Sequence, residues 1–180
     1  MSRIAFALCT ALAFSVAGLP LPAQEQQTEA PSPRALEAID ARQAMALADA
    51  WGSQVQSEVT TKGINFVFPN GFRRLIALPP GQVLVAVAPY RDETHPCDTH
   101  TMSSCQGELV GVPVEVLART ADGTELIHET MTTLANGFIE LWLPRDLEVR
   151  LTLRADSLAA EEVLSTADGA RTCVTTMRLQ

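Results

Sequence analysis

The chain reads as an α+β protein: a small N-terminal helix-plus-hairpin unit, then an antiparallel, sandwich-like β domain. Three observations lead there. An Ala- and Leu-rich stretch with apolar residues at helical spacing ends at Gly52. Two β-prone runs then flank Pro69-Asn70-Gly71, a turn signal. Beyond Gly81, apolar or alternating runs recur about every 8–12 residues with turn residues between them, the pattern of an all-β sandwich.

The elements follow in order. Arg3 precedes an apolar run from Ile4 to Val16, then small residues and prolines. That is the charge, core and cleavage-site order of a secretory leader, and the run is too short to span a bilayer. Cleavage after Ala23 is expected, which removes Cys9 and makes the formal charge one unit more negative than −8. Residues 24–33 are polar and proline-containing and read as a flexible lead-in. Residues 34–80 form the helix-and-hairpin domain. Ser32 caps the helix with Pro33 at its first position, and Leu36, Ile39, Gln43, Leu47 and Trp51 share a face. The hairpin pairs Ile64–Phe68 with Phe72–Leu78, and Leu78-Pro79-Pro80-Gly81 marks the boundary.

Residues 81–180 form the β-rich domain. Strands are expected around 83–88, 112–118, 125–131, 138–144, 147–155 and 172–179. In the run from Phe138 to Leu143, alternation puts Ile139, Leu141 and Leu143 on a core face. Phe138, Glu140 and Trp142 take the other face, where Trp142 covers an edge or the first unit. An acidic, exported chain is a poor match for nucleic acid or an anionic membrane surface. There is no nucleotide-binding loop, HExxH, GxSxG or paired-carboxylate signature, and hence no catalytic or organic-cofactor residue to name.

The chemistry concentrates in Thr94–Glu108, "THPCDTHTMSSCQGE". Two of four cysteines and two of three histidines lie there, spaced His95-x-Cys97-x2-His100-x4-Cys105. The segment falls between strands, so it is a loop, where function commonly sits on a β scaffold. A zinc knuckle fits badly, because structural zinc ligands pair two to four residues apart. Copper(I) is a better chemical match, being soft and accepting the thiolate, imidazole and thioether of Cys97, Cys105, His95, His100 and Met102. A plain Cys97–Cys105 disulfide is the structural alternative, restraining the unfolded chain by roughly 2.5 kcal/mol. It leaves Cys173 as the odd thiol of an exported protein. Cys173 is either an inert buried thiol or folds back beside the loop to complete a three-thiol site. Such a site can hold a metal or cycle between dithiol and disulfide, which also admits a thiol-disulfide redox partner. His128, alone on a strand, reads as a surface or packing residue.

Four segments carry a family resemblance: "GINFVFPNG", "VAVAPYRDETHPCDTHTMSSCQGEL", "ANGFIELWLPRDLE" and "TCVTTMRL". Together they resemble the CueP family of periplasmic copper-binding proteins, from about Gly63 to the end. The resemblance implies a periplasmic protein of copper homeostasis and resistance, with a small N-terminal domain and a β-rich C-terminal domain bearing three cysteines. Those cysteines match Cys97, Cys105 and Cys173, with His95 or His100 assisting. It further implies thiol-driven reduction of Cu(II) to Cu(I), and supply of copper to a periplasmic cuproenzyme such as superoxide dismutase. A homodimer built through the N-terminal domains belongs to the same expectation, and the thiol chemistry of the loop adds a thiol-disulfide oxidoreductase as a partner. Composition permits copper; the resemblance selects it.

Overall fold

The computed structural model describes residues 30–180. The leader expected at residues 1–23, with Cys9, lies outside the described residues, as do residues 24–29 of the lead-in.

Ser32 caps a single 3-10 turn, Pro33–Leu36, its hydroxyl accepting from the Arg34 N–H. The expected single helix then breaks. Ala38 adopts a positive φ of 57°, and Asp40 starts a second helix with a capping box. Its carboxylate accepts from the Gln43 N–H while the Gln43 side chain accepts from the Asp40 N–H. Helix α1 (Ala41–Trp51) ends at Gly52, φ 49°. The break shifts the apolar stripe: Leu36 and Trp51 are buried as expected and Ile39 and Leu47 are partly buried, but Gln43 serves the cap, and Ala41, Ala44, Met45 and Ala48 join the core.

Helix α1 lies on a three-stranded antiparallel sheet in the order β1 (Gln56–Val59), β2 (Gly63–Val67), β3 (Arg73–Ala77). The hairpin read around Pro69-Asn70-Gly71 is β2–β3, while β1 was not foreseen. Trp51 sets the core here, its ring edge-on to Phe66 at 5.8 Å and to Phe68 at 5.7 Å.

The remaining strands are β4 (Gln82–Val87), β5 (Pro113–Thr120), β6 (Glu125–Thr132), β7 (Ile139–Pro144), β8 (Glu148–Ala155), β9 (Leu158–Ser165) and β10 (Cys173–Val174). They form one sheet ordered β10-β4-β7 and a second, fully antiparallel sheet ordered β6-β5-β8-β9. Val83, Val85, Val87, Leu141 and Leu143 from the first sheet share one aliphatic core with Val114, Val116, Leu151 and Leu153 from the second. Each such side chain contributes about 1.5–3 kcal/mol by leaving water. The helix, its three-stranded sheet and the two further sheets make the α+β architecture read from the sequence.

The last strand differs from expectation. Only Cys173 and Val174 form a strand, parallel to β4 and opposite Ala86 and Val87, and beyond them Arg178 makes an isolated parallel bridge to Tyr90. The reason is where the backbone donors go. The Thr172 and Cys173 N–H groups both point to the Asp98 carbonyl, at 2.9 and 3.2 Å. The tail is thus shared between β4 and the Thr94–Glu108 loop.

The outer face of the β4–β7 pair does two jobs. Leu84 and Trp142 pack on the helix-side core, and the Arg42 guanidinium lies 4.4 Å over the Trp142 ring. Ala86, Ala88 and Phe138 pack on the cysteines. The two alanines leave the space that the loop fills.

Candidate metal centre

The loop is held on three sides by hydrogen bonds. Against β1, the Val59 N–H donates to the His100 carbonyl at 2.7 Å and the Met102 N–H to the Ser57 carbonyl at 3.1 Å. Against the tail, Thr172 Oγ1 accepts from the His100 N–H and donates to the Val59 carbonyl at 2.6 Å. Against the turn before β7, the Gly107 N–H donates to the Asn136 carbonyl at 2.7 Å. Gly137, φ 78°, meets Gly107 so closely that a β-carbon on Gly137 would sit 2.6 Å from the Gly107 carbonyl oxygen. This close approach requires glycine.

These supports gather the five residues singled out from the sequence. Their ligand atoms fall into two groups of three: His95, Cys97 and Cys105, and His100, Cys105 and Cys173. Within each group the atoms lie within 4.8 Å of one another, and Cys105 belongs to both. The first group is half-buried apart from Cys105. In the second, His100 and Cys173 are 0 % exposed and Cys105 is 8 % exposed. Cys97, Cys105 and Cys173 are all free, with the Cys97 and Cys105 sulfurs 3.3 Å apart and unbonded. The disulfide staple considered from the sequence is therefore not formed here, and Cys173, rather than lying apart as an inert thiol, closes on His100 Nδ1 at 4.0 Å.

The three thiols are electrostatically unequal. Cys105 is pulled down to about 3, first by the hydrogen bond from Cys173, then by His100 and the Thr101 N–H, with burial opposing. The Thr101 N–H reaches the Cys105 sulfur at 3.4 Å. Cys173 is pushed far up, first by donating to Cys105 and then by burial. Burial likewise raises Cys97 to about 11. Cys105 is thus the most acidic of the three thiols, and Cys97 and Cys173 hold their protons more tightly.

The donor set suits a soft metal ion. The Nε2 atoms of both His95 and His100 are buried without a hydrogen-bond partner, an arrangement that costs free energy unless something else satisfies them. Sulfur with imidazole favours copper(I) or zinc over hard cations such as magnesium or calcium. Met102, offered as a thioether from the sequence, packs into the helix-side core instead. Phe138 was assigned with Glu140 and Trp142. It is in fact a wall of the site, its ring 4.4 Å from the His100 ring and 6.5 Å from that of His95. His128 lies outside the site, exposed between Glu115 and Glu125.

A β scaffold that presents three thiols and two imidazoles from one loop and a returning tail defines a soft-metal-binding protein. The comparisons give the particular family. The family model "Periplasmic copper-binding protein CueP" matches residues 35–178, and the chain belongs to the CueP family. A crystal structure described as "Crystal Structure of S.CueP" is similar, with a TM-score of 0.76 and 26% identity. The match covers 82% of this chain and 92% of that one. A search of the curated proteins finds no match.

Proposed function

We propose that this chain binds copper in the periplasm as cargo, taking Cu(I) through Cys97, Cys105 and Cys173 with His95 and His100 assisting. The observation that carries this reading is the shared sulfur: Cys105 stands in both ligand groups, beside imidazole nitrogens that no hydrogen bond satisfies. Replacing Cys105 with Ser removes a ligand from both groups. Cys105→Ser is expected to abolish tight Cu(I) binding, measured by competition with a Cu(I)-specific chelator. Retained affinity overturns the assignment.

The same thiols can also reduce copper. Cys97 and Cys105 joining as a disulfide releases two electrons, enough to convert two Cu(II) to two Cu(I), with the thiol protons going to solvent; a partner dithiol then has to reduce the pair before it can ligate Cu(I). The 3.3 Å sulfur separation supports the disulfide step. An anaerobic thiol count taken before and after stoichiometric Cu(II) tests it: two thiols disappear as two Cu(I) appear in the chelator. Delivery to a periplasmic cuproenzyme is the onward step that the family resemblance implies.

The close thiol pair also favours a second reading, a thiol-disulfide redox partner for which copper is incidental. That protein would exchange Cys97–Cys105 with a partner dithiol in metal-free buffer at a potential in the range of catalytic disulfides. No such exchange is expected of a chain that only binds Cu(I).

A further inference from the structure

We infer that copper enters and settles in two stages, first at His95–Cys97–Cys105 and then at His100–Cys105–Cys173, with Cys105 holding the ion throughout. The inference rests on the copper reading above.

Burial argues for the order. His100 and Cys173 have no exposed surface, so an ion in solvent meets neither. His95 and Cys97 are half-buried. A cleft of about 300 Å³, lined by Glu93, Thr94, His95, Gln106, Gly107 and Glu108, opens at His95. The two glutamates place negative charge beside the opening, which favours a cation there. The outer group is therefore the one that arriving copper reaches.

The supports of the loop argue that the ion moves and the loop does not. Opening the inner group directly would break the Val59–His100, Met102–Ser57 and Thr172–Asp98 backbone bonds together. It would also separate the Gly107–Gly137 contact. Shifting the ion across Cys105 breaks none of these. Phe138 lies against both imidazoles at 6.5 and 4.4 Å, so the same apolar ring walls both stations.

The exchange balances without a further reactant. Loading the outer station displaces the thiol protons of Cys97 and Cys105 to solvent. On transfer, the bonds from copper to the His95 nitrogen and the Cys97 sulfur break. Bonds to the Cys173 sulfur and a His100 nitrogen form. The proton leaving Cys173 goes to the freed Cys97 sulfur, and copper remains Cu(I).

The test is a rate-and-affinity split on the full reduced chain. Cu(I) is supplied as a coloured chelator complex and its loss is followed by stopped flow; affinity comes from equilibrium competition with the same chelator. His95→Ala is expected to slow loading about tenfold, with a smaller loss of affinity than His100→Ala. His100→Ala is expected to weaken affinity by about tenfold or more, with a smaller loss of rate than His95→Ala. His100→Gln repeats the second measurement should the alanine variant melt early. X-ray absorption of the Cu(I)-loaded protein supplies a readout free of kinetics: the nitrogen scatterer persists in His95→Ala and disappears in His100→Ala. Equal effects of the two variants on rate and affinity, or loss of nitrogen in His95→Ala, overturn the two-stage route. Failure of the copper reading looks different, because Cys105→Ser would then retain tight binding whatever the histidines do.

Discussion

The two faces of the β4–β7 pair use the same strands for opposite ends. The inner face is uniform: Val83, Val85, Val87, Ile139, Leu141 and Leu143, all aliphatic and all buried. The outer face is mixed, passing from Leu84 and Trp142 through Glu140 to Ala86, Ala88 and Phe138. The inner face supplies stability by bulk. The outer face gives up bulk at the two alanines so that a loop carrying thiols and imidazoles can be seated. Rigidity for the site comes from a scaffold whose stability is generated elsewhere.

The largest effect should come from damaging the inner face. Leu141 is 0 % exposed in the shared core, and Leu141→Ala is expected to lower stability by about 4 kcal/mol, as buried leucines do when a cavity is left. Urea unfolding measures it. If the division between the faces holds, Cu(I) affinity of the still-folded variant changes far less than stability does. A proportional fall in affinity would mean that the site depends on core packing.

The β7 half of the inner face was legible in the sequence because alternation placed Ile139, Leu141 and Leu143 on one face; β4 showed only as an apolar run, since every residue from Val83 to Ala88 is apolar and buried. β9 was not legible, since Leu158–Ser165 runs Ala-Ala-Glu-Glu in its middle and is half-exposed at an edge; pairing with β8, not its composition, makes it a strand. The helix break was missed because the Asp40–Gln43 capping box hides inside a continuous helical pattern. At the site, the crowding of Cys and His in one loop was plain, and Cys173 was expected beside it as one of two readings. The division into outer and inner ligand groups depends on burial set by contacts distant in sequence, such as Thr172 with Val59, and no spacing rule encodes it. Phe138 was assigned to the correct strand face, but alternation could not show that this part of the face is covered by the loop.

A second, smaller effect tests how the loop is seated. Gly137→Ala forces a β-carbon onto a residue at φ 78° and against the Gly107 carbonyl at 2.6 Å. Backbone strain and crowding together are expected to cost about 3 kcal/mol. Here affinity and stability should fall together, because lifting Gly107 moves the loop that carries both outer and inner ligands. Preserved Cu(I) affinity in a destabilised Gly137→Ala protein would show that the glycine seam stabilises the fold without positioning the metal.

The smallest effect concerns Glu140, the charged residue between the two jobs of the outer face. Burial, followed by the Asp49 charge and a hydrogen bond with Asp49, pushes its carboxyl up to about 7, with Arg42 opposing. One of its oxygens is buried without a partner. The linkage has a definite sign. Below the ordinary value of 4.5, Glu140 is protonated whether folded or unfolded and has no effect on the pH dependence. Between 4.5 and about 7 the unfolded chain releases the proton and the folded one retains it, so stability falls as pH rises. Above that range the deficit is constant. Glu140→Gln keeps the shape and removes the ionisation. Relative to the wild type, it should add about 2 kcal/mol at pH 8 and almost nothing at pH 4. Thermal melts across that range measure the difference. A gain that is the same at both pH values would mean that Glu140 is unfavourable as a polar group rather than as a charge. A loss at pH 8 would mean that its contact with Asp49 and Arg42 holds helix α1 to the β4–β7 pair more strongly than its burial opposes it.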